Sequence, residues 1–316
     1  MSDQETDRAD VAGLPDFRRL PVPDAIRWLA EHGEPADPRP DIDTASLARR
    51  FPHLAGVSTV DDVVDGPHGA VPIRVYRDAG AAPTGRGLVW VHGGAFIGGS
   101  LDMPESNWVA RELAARGIPV VAVDYTKCLG DVHYPVPSDD VLAAWRQVSR
   151  IAVDAIGVAP DALALGGASA GSALTAGAVT RLRDAGETLP AALVLVYPLV
   201  HPNGPDPSAD VDLSTPHGQL SLNFAGGTDA FADPQAFAGV GDGHGFPPTL
   251  VVVCELDELR PSGEAFAATL AAAGVDVELH TEPGARHGHI DHPGDAGAGR
   301  TIAAAADWLA NHRLER

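Results

Sequence analysis

Gly167-Ala168-Ser169-Ala170-Gly171 follows the apolar run Ala162 to Leu165 and leads into Ala170 to Ala185, where apolar residues recur at helical spacing. Strand, tight turn and helix around a G-x-S-x-G core is the setting of a nucleophile elbow. The glycines permit close backbone approach, and the serine sits at a helix N-terminus, where the dipole favours negative charge. In a chain with 35 glycines such a pentapeptide arises easily by chance, so its weight comes from its placement.

Working outward, His92-Gly93-Gly94-Ala95-Phe96 follows a run that ends at Val91. A glycine-rich turn after a strand can aim backbone N–H groups at a developing oxyanion, beside the N–H of Ala170. An ordinary Gly-Gly turn would look the same in isolation. Two such motifs in the required order, each after a strand, point to acyl-transfer chemistry. In this architecture the acid and the base follow the nucleophile. Glu255-Leu256-Asp257-Glu258-Leu259 comes after the run ending at Cys254, and Glu282-Pro283-Gly284-Ala285-Arg286-His287-Gly288 after the run ending near His280. His287 is the candidate general base. Spacing leaves the orienting acid open among Asp257, Glu255, Glu258 and Asp291.

Short Val/Ile-rich runs, Val57 to Val64, Val71 to Tyr76, Gly87 to Val91, Ile118 to Tyr125, Ala162 to Leu165, Ala192 to Tyr197, Thr249 to Cys254 and Val275 to His280, alternate with helical patterns. Those helices cover about 105–116, 138–156, 170–185, 261–273 and 297–312. Such alternation implies an α/β fold, a mostly parallel sheet with helices on both faces and chemistry at the carboxyl ends of the strands. Residues 56–200 and 246–316 make up this core. Residues 1–14 are polar and expected to be disordered, 15–55 read as short helices of a cap, and the Pro/Gly/Asp-rich segment 201–245 reads as a loop or cap insertion.

The 316 residues carry 43 acidic and 22 basic side chains, a formal net charge of −21. That balance, without a basic cluster, speaks against nucleic-acid and anionic-membrane partners. Two cysteines, Cys128 and Cys254, are too few for a disulfide framework, and MSDQETDRAD has neither a basic nor an apolar leader segment. A cytoplasmic address follows as the expectation. Lys127 is the only lysine, which reads as coding bias rather than a selected site.

HGGAF, GASAG, DEL and HGH together resemble the bacterial hormone-sensitive-lipase-like esterases of the α/β-hydrolase superfamily, over about residues 55–312. That family combines an HGGG-type oxyanion loop with GDSAGG, DPL and PGxxHGF motifs and a helical cap. The resemblance implies Ser169, Asp257 and His287 as a triad, Asp257 because it takes the first place of Asp257-Glu258-Leu259. It also implies oxyanion donors at Gly94, Ala95 and Ala170, with Gly93 a further candidate, and a serine carboxylesterase that needs no metal or organic cofactor. Ala168 and Ser172 depart from GDSAGG, Ala95 from HGGG and His289 from the histidine loop, and Asp124 to Leu129 stand where DYRLAPE is common. None of these touches the triad. Phe96, Tyr125 and His289 are candidate pocket walls.

His287-Gly288-His289-Ile290-Asp291-His292 also matches HxHxDH, a zinc signature of metallo-β-lactamase-fold hydrolases. That fold needs further ligands downstream, and only 24 residues follow His292, with His312 the sole remaining histidine. A silent binding protein on the same scaffold would be marked by loss of the serine or the histidine, and both are present. Lactones and amides are cleaved by the same triad and stay open. Few aromatics (Trp 5, Tyr 4, Phe 8) and a polar cap suggest short acyl chains on a small ester, in a monomer or homodimer.

Overall fold

The computed structural model describes residues 20–312, so the segment 1–14 and the first five residues, 15–19, of the expected 15–55 cap lie outside the described residues. Eight strands form one sheet, β1 (Val57–Gly66), β2 (Gly69–Asp78), β3 (Gly87–Val91), β4 (Val120–Val123), β5 (Leu163–Ala168), β6 (Leu193–Val196), β7 (Thr249–Cys254) and β8 (Val277–Glu282). Their order is β1-β2-β4-β3-β5-β6-β7-β8. β1 and β2 form an antiparallel hairpin, β2 pairs antiparallel with β4, and every pairing from β4 to β8 is parallel.

β3 to β7 are buried at every position, as a sheet covered on both faces requires. Alternate residues feed opposite layers. Val89 and Val91 of β3 belong to the core layer of α4 (Val136–Ile156), α5 (Ala170–Asp184) and α7 (Arg260–Ala272), while Leu88 and Trp90 belong to that of α3 (Pro104–Ala114) and α8 (Ala296–Asn311). The apolar run at Ile118–Tyr125 forms a strand only over Val120–Val123; beyond it the Asp124 N–H still donates to the Pro72 carbonyl at 2.9 Å while its side chain accepts from Lys127 Nζ. β5 extends three residues past its apolar run, since Ala168 still pairs with Val196, and this carries the strand to the nucleophile. β8 starts and ends two residues later than the Val275–His280 run, with Glu282 pairing opposite Cys254.

Before the sheet, α1 (Val22–His32) touches α6 (Pro216–Ala225), while α2 (Thr44–Arg50) buries Leu47 in the layer of α3 and α8. The segment 201–245 is anchored rather than slack: Phe224 of α6 is fully buried and stacks on Phe96 at 4.0 Å. Among the described residues no helix is long and apolar enough to cross a membrane.

Candidate active site

Ser169 follows β5 and caps α5 with φ 51° and ψ −119°, a strained conformation that tips its side chain out of the strand-to-helix turn. The turn admits no extra atoms. A Cβ on Gly171 would lie 2.1 Å from the Val91 carbonyl oxygen, and one on Gly167 2.5 Å from the Gly171 carbonyl carbon. Ser172, which departs from the family motif, is fully buried and pins the elbow by donating from Oγ to the Gly167 carbonyl at 2.6 Å.

Ser169 Oγ lies 2.8 Å from His287 Nε2, and His287 Nδ1 lies 2.8 Å from Asp257 Oδ2. The other oxygen of Asp257 accepts the Leu259 N–H at 2.9 Å, and the side chain is 2% exposed. The remaining acid candidates are engaged elsewhere. Glu255 accepts the Gly284 N–H at 2.7 Å, and Glu258 is 80% exposed, 3.9 Å from His217. Asp291 accepts the Glu105 N–H at 2.9 Å and pairs with Arg39 at 2.7 Å.

The oxyanion loop runs through positive φ at Gly94 (102°), Ala95 (54°) and Phe96 (65°). The N–H groups of Gly94, Ala95 and Ala170 have no acceptor among the described residues. Gly93 is a correction: its N–H donates to Glu105 Oε1 at 2.5 Å and is not free for a substrate. The Gly93 carbonyl accepts from Tyr125 Oη at 2.7 Å and His92 Nδ1 at 2.8 Å. His92 is held neutral: burial, then the Lys127 charge, pushes its pKa down. Lys127, read from the sequence as coding bias, donates to Asp124 at 2.5 Å and to the Tyr125 carbonyl at 2.7 Å, and so braces this loop.

The three expected pocket walls are also corrected. Phe96 lies beneath Phe224, and Tyr125 stacks on His92 at 4.8 Å with its hydroxyl turned to Gly93, so neither presents surface. His289 turns inward between Cys254 Sγ (3.2 Å) and Thr301 Oγ1 (2.7 Å), and desolvation lowers its pKa to about 4. Loop residues next to a reacting group need not face it when the turn's own polar groups require satisfying. The HxHxDH side chains therefore diverge, His287 to Ser169, His289 into the core and Asp291 to Glu105 and Arg39. Burial pushes the Cys128 thiol up to about 12 and the Cys254 thiol up as well, so both behave as packing groups.

Three further groups near the reacting atoms escape sequence reasoning. Tyr197 packs its ring 4.7 Å from that of His287. Its hydroxyl donates to Glu105 Oε2, and Glu105 is buried. His217 of α6 lies within electrostatic reach of His287 and Asp257. The only trace of Glu105 in the sequence is an acidic residue after Pro104 in a first helical turn.

A family description, alpha/beta hydrolase fold, matches residues 88–291. The chain is 31% identical to Esterase LipI of Mycobacterium tuberculosis over 78% of its length and 79% of that protein. It is 30% identical to ethyl acetate hydrolase of Pseudomonas putida over 76% of its length and 79% of that protein. A hyperthermophilic esterase from the archaeon Pyrobaculum calidifontis superposes with a TM-score of 0.71 at 28% identity, covering 80% of this chain and 85% of that one.

Proposed function

We propose, from the premise that this chain belongs to the α/β-hydrolase fold family and to its hormone-sensitive-lipase-like esterases, that it cleaves short-chain carboxylic esters through an acyl-enzyme on Ser169. The chain is a carboxylic ester hydrolase; the residues and the substrate range are our reading. One observation carries the residues, the unbroken chain of contacts from Ser169 Oγ through His287 to Asp257.

Ser169 Oγ attacks the ester carbonyl while His287 Nε2 takes its proton. Asp257 holds the imidazole by Nδ1 and stabilises the imidazolium. The tetrahedral oxyanion accepts hydrogen bonds from the N–H groups of Gly94, Ala95 and Ala170, which stand ready without a competing partner. His287 returns the proton to the leaving alcohol, and a water activated the same way releases the acid. Residues 15–55 and 201–245 serve as the cap, supported by the α1–α6 contact and by Phe224 seated on Phe96. Short acyl groups fit the little room left at the nucleophile, where Ser169 is only 8% exposed, and fit the substrate named for the Pseudomonas putida relative. The partners are small esters rather than nucleic acid or membrane, and the chain acts as a monomer or homodimer. Two free buried thiols support a cytoplasmic address.

A fluorophosphonate should label one serine, and Ser169→Ala should abolish labelling and lower turnover by about 10³-fold or more. Aryl acetate should be cleaved faster than aryl decanoate. Labelling of another serine with activity intact sinks the nucleophile assignment, whereas a preference for decanoate, a lactone or an amide sinks the substrate reading alone.

A further inference from the structure

Glu105 takes no part in the proton relay, yet it stands at the centre of the machinery. It lies in the first turn of α3, behind Pro104, where the helix dipole favours a negative group. Both carboxylate oxygens are occupied. Oε1 accepts the Gly93 N–H at 2.5 Å and Oε2 accepts from the Tyr197 hydroxyl. Its backbone N–H donates to Asp291 at 2.9 Å and its carbonyl accepts from Trp90 Nε1 at 3.0 Å, so main chain and side chain are fixed together. A Cβ placed on Gly93 would meet Glu105 Oε1 at 2.6 Å and Ser169 Cβ at 3.0 Å. The carboxylate and the base of the Ser169 side chain therefore flank the same small space beside Gly93.

Resting on the triad reading above, we propose that Glu105 is a positioning residue for ester hydrolysis, a second buried carboxylate that holds the oxyanion loop through Gly93 and supports the His287 imidazolium across Tyr197. Burial, and after it the nearby Asp291 charge, push its pKa up, and the Tyr197 hydroxyl and the Gly93 N–H oppose that shift. Ionisation is the state the hydrogen bonds favour: Gly93 can only donate, and the Tyr197 hydroxyl has no other acceptor among the described residues. The neighbours of His287 come from several elements. Asp257 contacts Nδ1, the Tyr197 ring packs beside it, His217 approaches from α6, His289 from its own loop, and Glu105 from α3. Of these, only Asp257 and Glu105 supply negative charge from a buried side chain, and only Glu105 also holds the oxyanion loop. As the proton moves from Ser169 to His287, the imidazole becomes positive near a fixed buried charge in a poorly screened setting, which lowers the barrier.

Glu105→Gln removes the charge while keeping an oxygen for Gly93 and a polar group for Tyr197. With the full chain and an aryl acetate, kcat should fall about 10- to 100-fold while KM changes less than about 3-fold. Losing the charge disfavours the protonated imidazole, so the acid limb of kcat/KM should move to lower pH. Activity at a fixed pH on that limb, relative to the plateau, should then rise about 3- to 10-fold. A purely structural role predicts a lower plateau with the limb unmoved, and that result overturns the proposal. Tyr197→Phe serves if Glu105→Gln does not fold: it keeps the ring but removes one of the two hydrogen bonds that hold Glu105 ionised, so its kcat should fall about 10-fold with the acid limb displaced in the same direction as in Glu105→Gln. A wild-type kcat in Tyr197→Phe overturns the coupling across that residue. Ser169→Ala in the same series separates the two readings. Activity surviving in Ser169→Ala defeats the triad itself, while an inactive Ser169→Ala beside a wild-type profile in Glu105→Gln defeats only the role of Glu105.

Discussion

The loops that bring Ser169 and His287 together both depend on glycine, but for different reasons. At the elbow the limit is space: a Cβ on Gly171 would overlap the Val91 and His92 carbonyl oxygens at 2.1 and 2.5 Å. In the histidine loop the limit is conformation. Gly284 and Gly288 have φ of 67° and 75°, and a Cβ on either would meet nothing within 4 Å. The elbow is thus shaped by backbone packed against backbone, β5 and α5 against the end of β3. The histidine loop is held by a backbone bond, Leu256 N–H to the Ala285 carbonyl at 2.9 Å, and by side chains that reach other elements, Glu255 to the Gly284 N–H and Asp291 to Arg39 and to the Glu105 N–H. A site can therefore have one jaw specified locally and the other specified at long range.

The largest expected effect lies in the jaw held by side chains. Asp257→Asn should lower kcat by about 10⁴-fold, because the amide cannot hold the tautomer that leaves Nε2 free for the Ser169 proton. Glu255→Gln and Glu258→Gln, measured beside it, should stay within a few-fold of wild type; greater damage from Glu255→Gln would reassign the acid.

Next comes the contrast between glycines. Gly171→Ala should lower turnover by about 10²-fold through displacement of Ser169, with a stability loss of about 1–3 kcal/mol. Gly284→Ala should cost about 1 kcal/mol for the left-handed backbone and leave turnover within a few-fold. Equal losses of activity in thermally matched samples would erase the distinction between the two jaws.

The smallest effect is a pH slope. His289 has a folded pKa of about 4 against 6.5 in the unfolded chain. The unfolded chain therefore takes up this proton first, and stability that is fully present above about 6.5 is lost as pH falls toward 4. Replacing the side chain in His289→Phe should flatten stability across that window by about 1–2 kcal/mol, read as denaturant midpoints at several pH values. An unchanged slope would mean that another group carries the acid sensitivity.

The elbow was legible because its signal is local: strand, G-x-S-x-G and helix occupy consecutive residues, and their periods change where the chain turns. The histidine was legible from its loop after the last strand. Its acid was legible only through the family resemblance, since spacing alone does not separate Glu255, Asp257 and Glu258, which lie within four residues and differ in direction, Asp257 inward and Glu258 out to solvent. The sequence misplaced Phe96, Tyr125 and His289 because nearness along the chain to a reactive loop does not say which way a ring points. Gly93 was misread for a related reason, as its N–H is claimed by Glu105, twelve residues away and in another element.

By itself, the sequence determined the α/β alternation, the order of nucleophile, acid and base, and the resemblance that names the reaction class. These are properties of periodicity and of short motifs, which backbone sterics turn into structure without reference to distant residues. Only the tertiary structure decided the contacts of Glu105 with Gly93 and Tyr197, the inward turn of His289, the approach of Lys127 to His92 beside the oxyanion loop and the seating of Phe224 on Phe96. Each joins residues from separate elements at the carboxyl edge of the sheet. Buried polar groups there must find partners wherever the fold brings them, and no spacing along the chain records that choice.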